Sequence, residues 1–349
     1  MTAAADGTVE AVLQPGLDLA RFQDWYAQAQ PAVADAELSA SLIAGGKSNL
    51  TYEVTDGTQT WIVRRPPLGH VPATAHDMTR EHRVITALHD TPVPVPRTFA
   101  LCEDPAVLGA PFYVMEKVAG TPYRRAEELQ RLGPARTRTI SEGLVDTLAV
   151  LHEVDPVTVG LADFGRAEDR LERQVRRWRS QLDASRARRL PAADELYARL
   201  AGSVPQQPAG IVHGDYRLDN VLTDTDDRVA AVLDWERATL GDPLADVALL
   251  VLYARLGGLV GVHAVADASA APGFLAEEEM LDRYAERSSR DLSDLHFHLA
   301  LAAFKLAVIL EGVHYRYLHG QTVGTGFEQV GELVEPLLEA GLDSLKERR

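Results

Sequence analysis

A chain of 349 residues with 46% hydrophobic content is long enough to bury a large core and to divide into about two lobes. Its formal net charge of −16 opposes nucleic acid and anionic lipid as partners, because their phosphates would repel it at long range. The single cysteine, Cys102, cannot close an intramolecular disulfide, and no charged, apolar and small-residue signal opens the chain, so a reducing cytoplasm is the expected location.

Residues 1–37 read as an Ala-rich tail to Gly16, with no periodic core face, followed by a short amphipathic helix carrying Leu17, Phe22, Trp25 and Tyr26. From Leu38 the pattern changes to short β runs at 38–43, 50–54 and 60–64. Between the first two lies Ala44-Gly45-Gly46-Lys47-Ser48-Asn49. There Gly45 and Gly46 let backbone N–H groups approach phosphate oxygens, and Ser48 and Asn49 add donors. This turn is the candidate phosphate-covering loop. It is not a Walker A loop, which needs a glycine where Ser41 stands and a helix where the chain alternates like a strand.

Residues 74–88 follow helical spacing, with Met78, Ile85 and Leu88 on one side and Glu81 among them. Pro92, Pro94 and Pro96 end that helix in an extended connector, and further β runs follow at 98–102 and 111–116. Beyond this point the chain is largely helical, with clear segments at 141–153 and 295–317 whose His152 and His314 read as packing residues. The arginines at 173, 176, 177, 179, 186, 188 and 189, with Arg166, suit either a solvated helix face or a patch that meets an anionic acceptor. The most membrane-like run, 247–266, is interrupted by Arg255, His263 and a Gly pair, and reads as a buried helix with its following loop.

The sharpest signal is His213-Gly214-Asp215-Tyr216-Arg217-Leu218-Asp219-Asn220 followed by Val232-Leu233-Asp234-Trp235-Glu236. Phosphoryl transfer needs a carboxylate to orient the acceptor hydroxyl, and an amide plus a second carboxylate to hold Mg²⁺ on the nucleotide phosphates. Asp215, Asn220 and Asp234 suit those roles in that order. Thr223 to Asp227 reads as a turn between β runs, so a hairpin would return Asp234 to Asn220. No Cys/His spacing suggests zinc, and His213 reads as a brace for the loop.

With HGD in place of HRD and DWE in place of DFG, these segments resemble the aminoglycoside phosphotransferase and choline kinase branch of the kinase-like proteins. The runs at 45–52, 63–67 and 160–166 are similar to a bacterial subgroup related to the kinase domain fused to an acyl-CoA dehydrogenase in some animal enzymes. The resemblance implies an α+β, bilobal protein-kinase-like fold. A small β-rich lobe would occupy 38–118 and a larger helical lobe, with the catalytic loop and acceptor site, 119–349. It also implies ATP, or GTP, as donor with Mg²⁺, and a small-molecule hydroxyl acceptor. By position it puts Arg64 where such kinases usually carry a phosphate-binding lysine, with Arg65 as a substitute and Glu81 as ion-pair partner. Arginine keeps the charge but presents a planar fork instead of a compact ammonium. The hinge would comprise Met115, Glu116 and Val118, with backbone groups near Glu116 and Val118 meeting adenine. Arg217 would offset the transferred charge, and Asp242 with Pro243 would start a helix after the metal site. The Asp163-Phe164-Gly165 triplet lies upstream of the catalytic loop and is set aside as a metal site.

For the acceptor, a hydroxyacyl-type or other anionic compound is the first reading. A cationic aminoglycoside is the alternative, and a nucleotide-binding regulator without catalysis is the rival from another class. A protein acceptor is disfavoured by the missing HRD, DFG order and APE-like segment. The residues say nothing about oligomeric state.

Overall fold

Short runs of alternating apolar residues can bury one face each, and the first third of the chain pairs them into a sheet. The computed structural model describes residues 14–43, 49–69, 76–165, 171–206, 208–257, 267–322, 327 and 329–346. Contacts divide the chain into two units. One runs to Thr86 and resumes for Pro96–Lys117; the other comprises Ala87–Val95 and the chain from Val118 onward.

The first unit holds a five-stranded antiparallel sheet in the order β1-β2-β3-β5-β4, from β1 (Ser39–Leu42), β2 (Leu50–Thr55), β3 (Thr60–Arg65), β4 (Thr98–Cys102) and β5 (Phe112–Glu116). Helix α1 (Leu19–Tyr26) is only 8 residues long, too short to be stable alone, and starts at an Asp18 cap that accepts from the Arg21 N–H at 3.1 Å. Packing holds it. Phe22 and Tyr26 join Tyr52, Val54, Trp61, Val63, Phe112 and Val114 in one buried cluster. Trp25 meets Phe112 edge-on at 4.7 Å and Tyr26 meets Trp61 at 5.7 Å. Each fully buried large side chain of this kind contributes roughly 1.5–3 kcal/mol.

Strand parity separates the two adjacent arginines of β3. Arg65 shares the face of Trp61 and Val63. It is 4% exposed, and its guanidinium donates to Leu108 O at 2.7 Å and to Gly16 O. That corrects its reading as a substitute phosphate ligand, because period-2 alternation turns it into the α1 side of the sheet. The tail boundary is corrected as well. Gln14 donates to Ala40 O, Tyr52 donates to Pro15 O, and Gln14 bridges to Leu17, so the chain is anchored from Gln14 onward. Residues 1–13 lie outside the described ones.

Helix α2 (Met78–Leu88) lies against the Arg64 side of the sheet, and the one-turn α3 (Pro105–Leu108) links β4 to β5. The second unit contains α4 (Ala126–Leu132), α5 (Pro134–Glu153), α6 (Leu171–Ser185), α7 (Pro191–Gly202), α8 (Leu244–Gly257), α9 (Glu277–Arg287), α10 (Leu295–Leu318) and α11 (Val334–Ser344). Two small antiparallel pairs interrupt the helices: β6 (Gly210–Val212) with β9 (Thr239–Gly241), and β7 (Val221–Thr223) with β8 (Val229–Val232). Among the described residues α10, not the 247–266 run, is the helix long and apolar enough to cross a membrane. Yet 67% of that stretch is buried in protein, against α6, α7, α8 and α11. Within 247–266, α8 ends at Gly257 and residues 258–266 lie outside the described ones.

Part of the arginine-rich stretch is tied into the helical unit. Arg179 pairs with Asp183 at 3.0 Å and Asp194 at 2.7 Å, Arg186 with Asp194 at 2.8 Å, and Arg188 with the fully buried Glu311 at 3.3 Å. Those three side chains serve the packing of α6, α7 and α10, which corrects the patch reading for them. Arg176, Arg177 and Arg189 face solvent, and Arg166 lies outside the described residues.

Candidate active site

In the second unit the buried strand β6 delivers the chain to His213, after which its backbone groups are bound by a side chain from α8. The Asp246 carboxylate accepts the N–H of His213 at 2.6 Å and of Gly214 at 2.8 Å. Asp246 is itself fully buried, 3.4 Å from His152 Nε2, and His152 Nδ1 lies 2.7 Å from the Tyr284 hydroxyl. A chain of buried polar groups from α9, α5 and α8 therefore ends on the loop backbone. His213 continues the bracing: its Nε2 meets Leu233 O at 2.9 Å and its Nδ1 receives the Asp215 N–H at 3.3 Å. Those partners assign the proton to Nε2 and leave no lone pair for acid or base work.

Gly214 is required by this arrangement. Its φ of +83° is left-handed, and a Cβ built there would fall 2.7 Å from Arg237 O. Gly214→Ala is expected to destabilise the protein by about 2–4 kcal/mol through strain and overlap, read by denaturant unfolding. A loss below about 1 kcal/mol would show that the loop tolerates a side chain.

Beyond Asp215, a single turn at Leu218–Asn220 feeds β7. Asn220 donates through Nδ2 to Asp215 O at 2.8 Å, with Asp215 Oδ2 at 3.4 Å. With the amide nitrogen committed there, Oδ1 is the atom left to meet a cation. The hairpin register sets Val221 opposite Val232, and Leu233 donates to Asn220 O at 2.8 Å, so Asp234 comes one residue after the position opposite Asn220. Pro94 O accepts the Val232 N–H at 2.8 Å, which lays the proline-rich connector along β8. Asp234 has left-handed backbone angles, φ 65° and ψ 60°, uncommon outside glycine. Asp227 shares that φ, but as a hairpin-turn residue clamped by Arg136.

A carboxylate and an amide oxygen are hard donors of the kind Mg²⁺ uses when substrate phosphates and water complete its shell, so the pair fits that ion. Among the described residues no group of three or more His, Cys, Asp or Glu forms a protein-only metal cage. Asp163 is an exposed turn residue after α5, while Phe164 is buried. Asp242 accepts the Leu244 N–H at 3.0 Å and pairs with His298 at 2.9 Å, so it both starts α8 and ties it to α10.

Arg217 places Nη2 2.7 Å from Asp219 Oδ2 and Nε 3.7 Å from Asp215 Oδ1, with its Cζ 5.2 Å from the centre of the Tyr253 ring. Burial pulls the guanidinium down, and the carboxylates of Asp219 and Asp215 more than reverse it, so Arg217 stays charged. For Asp219 burial wins, and the carboxyl stands above its ordinary value although Arg217 draws it back. Arg217, Asp219 and Tyr253 border an open pocket, with Leu144, Leu250 and Phe274 as apolar lining and Arg124 among its polar residues.

In the first unit, Arg64 Nε lies 3.0 Å from Glu81 Oε1, and Glu81 is 1% exposed. Register puts Ile62 opposite Met115 and Arg64 opposite Tyr113, so Met115 shares the Arg64 face of the sheet. Glu116 N–H donates to Arg97 O at 2.8 Å. The division between units falls after Lys117, so Val118 opens the second. Asn49 is buried and its Oδ1 meets His76 Nδ1 at 2.8 Å, whereas Gly45, Gly46 and Ser48 lie outside the described residues.

Residues 39–287 match the model of the phosphotransferase enzyme family, APH. The chain belongs to that family. This phosphotransferase is 36% identical over 328 residues to acyl-CoA dehydrogenase family member 11 of Gallus gallus, covering 91% of the chain and 41% of that protein. It is 35% identical over 303 residues to family member 10 of Mus musculus, covering 85% and 28%. The chain therefore spans less than half the length of these relatives. A crystal structure of a candidate aminoglycoside phosphotransferase from Ralstonia eutropha superposes with a TM-score of 0.82 at 32% identity, covering 94% of the chain and 98% of that one. The aminoglycoside phosphotransferase APH(4)-Ia, in a complex with AMP-PNP and hygromycin B, shares the fold with a TM-score of 0.60 at 15% identity, covering 93% and 98%. The phosphotransferase has the kinase-like fold of its family, a five-stranded antiparallel sheet followed by a mostly helical region.

No spacing in the sequence reveals the link of Asp246 to His152 and Tyr284. Nor does any point to Asp219, Tyr253 and Arg124. A carboxylate on an apolar helix, at Asp246, was the one visible signal, since such a group is rarely buried without partners.

Proposed function

We propose that this phosphotransferase moves the γ-phosphoryl group of ATP, or GTP, to a hydroxyl of a small anionic molecule, of which a hydroxyacyl compound is the favoured type. The observation that carries the reading is the joining of Asp215, Asn220 and Asp234 by one turn and one hairpin, with Asn220 bonded to Asp215. Asp215 orients the acceptor hydroxyl and takes its proton as the new O–P bond forms and the bond from the γ-phosphorus to the β–γ bridging oxygen breaks, releasing ADP or GDP. Asn220 Oδ1 and the Asp234 carboxylate are the residues that would hold Mg²⁺, which when bound neutralises phosphate charge. Arg217 offsets the charge developing on the transferred group, and alignment with fixed charges accounts for most of the acceleration.

Arg64, steadied by Glu81, contacts the nucleotide phosphates in this reading, and adenine meets backbone groups at Glu116 and Val118 with Met115 behind it. Asn49 and the glycine turn before it cover the phosphates.

The pocket supports the anionic acceptor. Its two guanidiniums, Arg124 and Arg217, are the groups that would bind an anion, beside the carboxylates of Asp219 and Asp215. The intact Asp215, Asn220 and Asp234 set disfavours a regulator without catalysis.

The test is consumption of ATP and of GTP with Mg²⁺ across hydroxyacyl-CoAs, aminoglycosides, amino alcohols and sugars, with Asp234→Asn as control. Turnover with an anionic hydroxy compound, lost in the control, is expected. Turnover restricted to aminoglycosides would overturn the acceptor assignment, and nucleotide binding without turnover on any acceptor would favour the regulator.

A further inference from the structure

We infer that Asp219 is a positioning residue that holds Arg217 over the Tyr253 ring and off Asp215. The inference rests on the phosphotransfer reading, because it concerns how Arg217 is kept available for that step. Arg217 has extended backbone angles, φ −165° and ψ 164°, immediately before the Leu218–Asn220 turn, and that turn brings the side chain two residues on back to it. The result is an ion pair with Nη2 2.7 Å from Asp219, while the Nε edge stops 3.7 Å from Asp215. Both side chains are largely buried, at 22% and 15% exposure, and the ring of Tyr253 supports the guanidinium plane at 5.2 Å.

Arg217 Nε is buried and has no hydrogen-bond partner among the described residues. A donor in that state has strong reason to close on the nearest carboxylate, since an unmade buried hydrogen bond is costly. Asp215 is that carboxylate. The closer ion pair with Asp219 holds the guanidinium about 1 Å short of Asp215, relative to the usual reach of a charge-assisted hydrogen bond. Without Asp219 the guanidinium would shift onto Asp215 and occupy the oxygen lone pairs that the acceptor hydroxyl needs. Asp219 thus protects the base and places the cation, and it does so through Arg217 without touching the reacting atoms.

Asp219→Asn removes the charge and keeps the shape. A crystal structure of this variant is expected to show the Arg217 guanidinium displaced from Tyr253 and bonded to Asp215; an unmoved Arg217 would overturn the inference. The kinetic arm uses Mg²⁺-dependent ATP hydrolysis with water as acceptor, in wild type, Asp219→Asn, Arg217→Ala and the double variant. Asp219→Asn should lower kcat roughly tenfold with KM for ATP within about twofold, yet cost less than about twofold in the Arg217→Ala background. Asp219→Glu should recover part of the loss. Effects that multiply independently would show that Asp219 does not act through Arg217. A wild type that hydrolyses no ATP and phosphorylates no acceptor would instead count against the phosphotransfer reading, and the crystal structure would still decide where Asp219 holds Arg217.

Discussion

Asp215→Asn is expected to lower acceptor-dependent turnover by on the order of 10²–10⁴ while leaving the fold and nucleotide binding intact. The carboxylate is the group the proposed mechanism uses, and an amide of the same shape cannot take the hydroxyl proton. What ties Asp215 into the structure runs mainly through its backbone: its N–H donates to His213 Nδ1 and its C=O accepts from Asn220. An asparagine keeps both bonds. The side chain is 21% exposed, so the change leaves no charge buried without a partner. The measurement is steady-state turnover beside denaturant unfolding and nucleotide titration. Turnover retained within about threefold would remove Asp215 from the proton step, because one positioned general base is worth far more than that.

The second large effect concerns a residue that meets no substrate. Asp246→Ala is expected to cost about 2–5 kcal/mol, because it strands the buried backbone N–H of His213 and the part-buried one of Gly214, and removes the carboxylate next to His152. Turnover should fall too, since a catalytic loop displaced by about 1 Å can lose on the order of 10²-fold. Asp246→Asn separates the two causes. It retains one acceptor oxygen but aims an amide donor at the other N–H, so an intermediate loss of stability is expected, with kcat affected more than KM. Denaturant unfolding and kcat measured on the same preparations test this. Stability unchanged in Asp246→Ala would mean that the loop backbone finds other partners.

These two residues differ in how far they could be read in advance. Asp215 belongs to a local motif, in which His213 to Asn220 lie within one loop and the return to Asp234 needs only a hairpin with a recognisable Asp-rich turn. Local spacing decides such geometry, so the three polar groups, the five strands and the main helices were legible. The Arg64–Glu81 pair was also within reach, since strand parity and helix spacing orient both side chains. Arg65 shows the limit. Its sequence is as basic as that of its neighbour, and only the packing of α1 and the chain before it on one face of the sheet turned it into a structural side chain.

By itself the sequence determined the family, through two carboxylates and an amide in a fixed order, carried on turn and strand signals that act over a few residues. Tertiary structure decided the rest. Asp246, His152 and Tyr284 stand on three different helices, and their meeting depends on how those helices pack. The same holds for Tyr253 beside Arg217, and for Glu311, which binds Arg188 from 123 residues away. Buried polar groups must find partners wherever the fold puts them, and no periodicity along the chain records which partner that will be.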